Sequence, residues 1–398
     1  MTVTRRRVLY IPGYDPFHPR RYRELYRKEG AAQAAISGYA LEQRKGRGPY
    51  VWEVTAEMDG AHVETEVEVL VWSDIVAGSM SRSILATYGQ LVRTAWAYIG
   101  SGALFRLMKL RQGPVIAALY PVVFLLLQLV VALAIGAGGA AIVSAILPGV
   151  VGGLVGGAIG VGLGVVVLRW FKAKDAKVFA HYLMHDYAFS ARWGGANPPQ
   201  LEERMAVFGE TIVAALGSDA DEVLVVGHSS GAHLAVSVLA DLIRAGRVPA
   251  GRCAFLSLGH VVPMVSFLPN ASRLRADLHL MAGQDLIPWV DVTAPGDGCA
   301  FALCDPVAVT GVAPDAQRWP LVLSAAFTKT LSPERWNDLK RRYFRLHFQY
   351  LCAFDRPGDY DYFRITAGPL TLAERFAGRA PSPSRLTAPV NRYRSMAA

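Results

Sequence analysis

The pentapeptide Gly227-His228-Ser229-Ser230-Gly231 brackets a serine with glycines, and its flanks decide what that serine can do. Val223–Val226 read as a short buried strand and Ala232–Arg244 as a helix. Ser229 therefore falls on a sharp strand-to-helix corner, the arrangement that lifts a nucleophilic hydroxyl clear of a sheet edge. Small residues are required at 227 and 231 because strand and helix would otherwise clash there. A serine hydroxyl is a poor nucleophile until a histidine takes its proton and an acid fixes that histidine's tautomer. The chain order usual after such a corner is serine, acid, histidine. Of nine histidines only His347 lies far enough downstream, so it is the expected general base. Asp297, in Ala294-Pro295-Gly296-Asp297-Gly298 just past Trp289–Thr293, which reads as a strand, is the expected acid, with Asp285 as the alternative. An oxyanion needs two backbone N–H donors. Ser230 supplies one, and Tyr14, in the loop Pro12-Gly13-Tyr14, is assigned the other.

Other reactive residue types give weaker patterns. His181 and His185 are spaced i, i+4 beside Asp186, a spacing that puts two ligands on one helix face, but no third ligand follows and a surface role is expected. His233, one turn into the helix after the corner, is read as a packing residue. Cys253, Cys299, Cys304 and Cys352 form no C-x-x-C pair; free thiols are expected, with Cys299 and Cys304 filling core. No metal or cofactor is expected.

The elements that must position these residues follow the pattern of an α/β chain. Val8–Ile11 read as a strand broken by Pro12-Gly13. Arg20 to Tyr39 look helical. Tyr50–Met58 and Ala61–Trp72 flank Asp59-Gly60, and Val63, Val67, Val69 and Val71 alternate with Glu64, Glu66 and Glu68, predicting a hairpin with one wet face. Leu201–Leu216, Arg273–Met281 and Pro333–Tyr343 read as helices, and Cys253–Leu258, Trp289–Thr293 and Pro320–Ala325 as strands. Alternating strands and helices imply a mostly parallel sheet covered on both faces.

One segment stands apart. The mean hydropathy is positive, +0.26, because no charged residue occurs from Gly113 to Leu168. That length accommodates two spans of roughly 20 to 25 residues with a turn between them. The turn falls at Gly136-Ala137-Gly138-Gly139 or at Leu147-Pro148-Gly149, with the first favoured. Gly152, Gly156, Gly160 and Gly164 form a ridge overlapping Gly149, Gly153 and Gly157; such ridges let helices approach closely in lipid, within the hairpin or between copies in a homo-oligomer. Arg106, Lys109 and Arg111 precede the block and Arg169, Lys172, Lys174 and Lys177 follow it, which puts both flanks on the cytoplasmic side of the inner membrane. Ser81–Leu110 form a helix that either lies in the membrane interface or packs on the domain.

The net charge of +9 is otherwise dispersed, nothing resembles a nucleic-acid module, and the apolar run behind Arg5-Arg6-Arg7 is too short for a signal peptide. The expected organisation is an α/β sheet domain from residues 1–112 and 169–379, a hairpin at 113–168, and a flexible Pro/Ser/Arg-rich tail at 380–398.

Taken with the order of the reactive residues, the chain resembles the α/β-hydrolase superfamily, over Val8–Tyr14, the Val223–Gly231 elbow, the Asp297 turn and the His347 region. The Gly-His-Ser-Ser-Gly wording is similar to that of lipases and esterases, although Pro12-Gly13-Tyr14 stands where many of them carry a His-Gly loop. Trp289–Pro295 and Leu346–Leu351 are similar to segments of uncharacterised bacterial hydrolase-like membrane proteins. The resemblance implies ester or thioester hydrolysis through an acyl-serine, without cofactor. Anchoring in a bilayer makes a membrane lipid the expected acyl-ester substrate. Acyl transfer by the same triad, or a non-catalytic membrane scaffold, are the alternatives.

Overall fold

The computed structural model describes residues 2–80, 83–147 and 149–397. Eight strands form one sheet: β1 (Arg5–Ile11), β2 (Ala40–Lys45), β3 (Val51–Met58), β4 (Ala61–Val69), β5 (Glu222–His228), β6 (Cys253–Leu258), β7 (Trp289–Thr293) and β8 (Leu321–Ser324). Their order is β2-β3-β4-β1-β5-β6-β7-β8. From β4 to β8 neighbours run parallel, and β2 and β3 add an antiparallel edge. The β3–β4 turn has Asp59 and Gly60 both at positive φ (53° and 77°), the geometry a two-residue hairpin needs.

The helices that matter for the site are α1 (Arg20–Ser37), α2 (Ile84–Gly100), α3 (Gln112–Ile146), α4 (Gly149–Ala173), α5 (Ala180–Arg192), α6 (Pro199–Leu216), α7 (Gly231–Arg244), α8 (Ser272–Gly283) and α9 (Tyr343–His347). Because side chains alternate along a strand, Leu9, Ile11, Val223, Val225 and Phe255 pack on one face with α6, α7 and α8. Val8, Tyr10, Leu224, Val226 and Leu256 pack on the other with α1 and the C-terminal third of the chain. β5 is buried along its whole length, which explains its unbroken apolar run: it lies at mid-sheet with helices on both sides.

α3 and α4 are both long and apolar enough to cross a membrane. They pack as an antiparallel hairpin, and the turn lies at Leu147–Gly149 rather than at the favoured Gly136–Gly139; residue 148 is outside the described residues. The correction has a simple cause. Gly136 is a packing site: a Cβ there would stand 2.6 Å from the Gly160 carbonyl, and one on Gly156 2.7 Å from that of Ala140. Gly152, Gly156 and Gly160 are buried along the seam, whereas Gly153 and Gly157 face open space. Most of the remaining hairpin surface is exposed Leu, Ile and Val, as lipid-facing helices require.

Three further expectations change. Ser81–Leu110 is α2 followed by a short turn of helix at Ala103–Leu107, with Ser81 and Arg82 outside the described residues. α2 packs on the domain through Leu91, Thr94 and Tyr98 and presents Leu85, Val92, Trp96 and Ile99 as an exposed apolar stripe. His181 and His185 are buried rather than superficial, because α5 is sandwiched between α2 and α3; His185 Nδ1 pairs with Gln90 at 2.7 Å. The tail at 380–398, expected to be flexible, is strapped to the sheet by the Ser382 amide on the Val322 carbonyl and by reciprocal bonds between Leu386 and the Leu303–Asp305 segment.

Candidate active site

β5 ends at His228, and the chain turns into α7 through Ser229 at φ +57°. A non-glycine residue in that region carries strain of about 1–2 kcal/mol, held by the surrounding structure. The turn is built on glycine at both ends. A Cβ on Gly227 would lie 2.7 Å from the Ala232 Cα, and one on Gly231 would collide with the Ile11 and Pro12 carbonyls. The Ser229 amide is anchored to the Leu258 carbonyl at 2.9 Å, leaving its hydroxyl half-exposed on the floor of a cavity of about 620 Å³.

His347 ends α9 and is buried on the wall of the same cavity. Its Nδ1 lies 2.7 Å from Asp297 Oδ2. Asp297 stands just beyond β7, at the carboxyl end of the sheet. The Tyr350 hydroxyl donates to the same carboxylate oxygen at 3.0 Å, and the Cys299 amide donates to Oδ1 at 2.9 Å. Burial pushes the Asp297 pKa up, but the His347 charge, its hydrogen bond, the Cys299 amide and the Tyr350 hydroxyl together bring it below the usual carboxylate value. Asp297 is therefore an acceptor only, and His347 Nδ1 must carry the proton. That leaves Nε2 as the basic nitrogen, and it is buried without a hydrogen-bond partner. Ser229 Oγ likewise makes no hydrogen bond among the described residues. Asp285, the alternative acid, is exposed in the loop before β7, at the opposite end of the strands.

The imidazole is fixed from other sides as well. His228 Nε2 donates to the His347 carbonyl at 3.0 Å, and the two rings lie 4.8 Å apart. Burial, and then the neighbouring His347 charge, depress the His228 pKa to about 3, so His228 is a neutral structural donor and not a second base. Gly259, at φ +54° after β6, leaves room for the ring: a Cβ there would stand 3.1 Å from His347 Cε1 and 2.7 Å from the Tyr350 ring. Neither Tyr350 nor Gly259 announces itself in sequence, although a glycine directly after a buried strand is the signal that was present.

The Pro12-Gly13-Tyr14 loop reaches the serine. A Cβ on Gly13 would stand 2.9 Å from Ser229 Cβ and 3.3 Å from Oγ. Trp72 Nε1 holds the Pro12 carbonyl at 2.9 Å, and the Tyr182 hydroxyl holds that of Tyr14 at 2.5 Å. Among the described residues the amides of Tyr14 and Ser230 donate to no backbone carbonyl, so both expected oxyanion donors are unspent next to Ser229.

The rest of the cavity combines aromatic and apolar side chains with charged ones, Arg21, Lys28 and Arg345 among them. α5 contributes Tyr182, Asp186 and Tyr187, α2 contributes Tyr98, and the start of α3 contributes Pro114. The hairpin abuts the acid loop: a Cβ on Gly113 would stand 3.3 Å from Gly298 Cα, and Arg111 Nε donates to the Ala302 carbonyl at 2.7 Å. Asp186 is half-buried, and burial, opposed by the His347 charge, raises its pKa to about 7. Cys299, expected in the core, lines this cavity instead; burial pushes its thiol well above the usual range. The ligand atoms of Asp297, Cys299 and His347 lie within 4.8 Å of one another, a spacing that admits a soft divalent cation. A second depression, along Arg5–Arg7, β2–β4 and Ser218–Ala220, lies at the amino end of β1, away from Ser229.

No family model, no curated protein and no solved structure matches this chain.

Proposed function

We propose that this protein is a serine hydrolase of the α/β-hydrolase type, held at a membrane by the α3–α4 hairpin, that cleaves an acyl ester of a lipid or lipid-like molecule. The observation that carries the reading is the conjunction at one cavity of a strained Ser229 corner and a His347 imidazole whose Nδ1 is bonded to a buried carboxylate. In this mechanism His347 Nε2 takes the Ser229 proton as Oγ attacks the ester carbonyl. The Tyr14 and Ser230 amides receive the developing oxyanion, and Asp297 holds the imidazolium. The imidazolium then protonates the departing alkoxide. Water, deprotonated by the same Nε2, releases the acid and restores the serine.

The lipid part of the reading is supported by the position of the cavity beside the first residues of α3. A substrate dissolved in the bilayer has a short path from the span to Ser229. The basic residues at both ends of the hairpin favour the cytoplasmic leaflet, with its anionic headgroups.

The test is labelling of the full chain in detergent micelles with a fluorophosphonate probe, beside Ser229→Ala, followed by a screen against phospholipids, glycerides and acyl-thioesters. Serine-dependent labelling and release of free fatty acid are expected. Equal labelling of both proteins, or none of the folded wild type, would refute the reading. Acyl-enzyme that turns over only with an added alcohol acceptor would convert it into acyl transfer.

A further inference from the structure

Among the described residues the cavity holds one carboxylate that neither the proposed mechanism nor a protein partner uses, in a lining that also carries the cations Arg21, Lys28 and Arg345. Asp186, at the middle of α5, lines the same wall as His347. Every other carboxylate lining the cavity is already bonded: Asp15 accepts from the Tyr22 hydroxyl at 2.5 Å and from Arg21, Glu24 from Arg23 and Arg27, and Glu29 from the Ala353 amide and Arg335. Among the described residues Asp186 has neither a hydrogen bond nor an ion pair. It shares the cavity lining with Tyr182 and Tyr187 of its own helix, with Tyr98 of α2 and with Tyr14. Tyr14 and Tyr182 are 6.3 Å apart between ring centroids, and Phe344 extends the wall 6.0 Å beyond Tyr182.

The hydroxyls of these rings are largely spent on protein: Tyr14 on Ser79, Tyr98 on the Met264 carbonyl and Tyr182 on the Tyr14 carbonyl. The rings therefore offer π-surface more than donors. An unpaired carboxyl among aromatic rings suits one chemical class of ligand above others. An ammonium group is attracted by ring faces and by carboxylate alike, and the attraction grows where water is thin. A neutral alcohol gains only one of these interactions, and a phosphate gains neither.

We infer that Asp186 and the surrounding tyrosines form a recognition site for an ammonium group on the substrate, so that the preferred esters carry a cationic amine near the scissile bond. The substrate arm of this inference rests on the hydrolase reading above; ligand binding does not. Primary and quaternary ammonium headgroups share the chemistry.

Binding is measured first, by calorimetric titration of Ser229→Ala protein in micelles with tetramethylammonium and with methylammonium, against sodium at matched ionic strength. Saturable binding of at least one ammonium, weakened roughly tenfold or more by adding Asp186→Asn, is expected; the ratio of the two affinities tells which headgroup type the site prefers. Asp186→Asn removes a poorly solvated carboxyl without changing its shape, so its fold should survive. Tyr187→Leu, which removes a ring and no charge, provides a second variant expected to weaken binding. On active protein, kcat/KM is compared for a choline ester and the 3,3-dimethylbutyl ester of the same acid, which has carbon in place of the charged nitrogen. The choline ester should be favoured by roughly tenfold, and Asp186→Asn should bring the pair within about twofold by raising KM for the charged member alone. Indifference to ammonium in protein whose Ser229 labels normally would overturn the inference while sparing the hydrolase. Ammonium binding in protein that never labels would leave the site standing without the hydrolase. An equal fall in kcat for both esters would overturn the inference too, by showing that Asp186 acts on His347 and not on the substrate.

Discussion

Replacing Asp297 by asparagine separates orientation of the base from its mere presence. Three donors converge on the carboxylate: His347 Nδ1–H at 2.7 Å and the Tyr350 hydroxyl at 3.0 Å on Oδ2, and the Cys299 amide at 2.9 Å on Oδ1. An amide has one oxygen and one NH₂, so one side must now meet donor with donor. The Cys299 amide cannot adapt. His347 can, by moving its proton to Nε2, and the Tyr350 hydroxyl can rotate. The oxygen will therefore face Cys299, and the nitrogen will face an imidazole in the wrong tautomer. Restoring the useful tautomer leaves buried donors opposed, at about 1–3 kcal/mol, and the imidazolium of the transition state loses its counter-charge as well. The expected result is a fall in kcat of roughly 10⁴, the size known for such a change in a serine triad, with little change in KM or in melting temperature. The assay is ester turnover together with the second-order rate of fluorophosphonate labelling, which reports Ser229 activation without a chosen substrate. A variant that keeps activity within about tenfold of wild type, while Ser229→Ala is inactive, would refute the assignment of Asp297 as the group that orients His347.

Other outcomes follow from close contacts and from charge. Gly13→Ala places a methyl 2.9 Å from Ser229 Cβ; it should fold, since the loop is at the surface of the cavity, but lose at least about tenfold in kcat through displacement of the Tyr14 amide. Gly231→Ala meets two backbone carbonyls and should fail to yield folded protein, as judged by expression and circular dichroism. In the hairpin, Gly160→Leu should lower the melting temperature in micelles because its Cβ already stands 2.6 Å from the Gly136 carbonyl, whereas Gly157→Leu, facing open space, should not. Equal effects would mean that the seam lies elsewhere. With a carboxyl pKa near 7, Asp186 is neutral below that pH, so the preference for a choline ester over its carbon isostere should fall as pH drops from 8 to 6. Asp186→Asn should abolish that dependence. Raised acidity thresholds of this sign also mean that the fold, relative to the unfolded chain, is favoured as pH falls from about 7 toward 4 at this residue.

Much of this arrangement was legible in the residues. The elbow is a local matter, with β5, Ser229 and α7 contiguous and glycine marking both ends, so sequence carried it. His347 and Asp297 were reached through chain order, and their pairing at 2.7 Å depends on β7 and α9 meeting across the sheet edge, which no local pattern reveals. Tyr350, Gly259 and Asp186 were missed as members of the site because each is unremarkable among its sequence neighbours and becomes significant only through contacts from remote elements. The turn of the hairpin was misplaced for a different reason. In lipid, glycine serves close packing as readily as reversal, and hydropathy is equally high on both sides of Gly136 and Leu147. β2 escaped notice because its alternation of Leu41 and Gln43 with charged residues is too polar for a strand signal; it is an edge strand, half-solvated and charged, as edges that must resist pairing with other chains usually are.

The abutment of Gly113 on Gly298 ties the anchor to the chemistry. Excising α3 and α4 to obtain a freely soluble version would remove the floor on which the Asp297 loop rests, and Pro114 with it from the wall facing Ser229. On the proposed hydrolase reading, such a truncation would be a different catalyst and not the same one set loose. On the proposed reading of a membrane-held hydrolase, a shift of the first span, forced by a thicker or thinner bilayer, would bear directly on the Asp297 loop, and lipid composition would become a physical input to turnover.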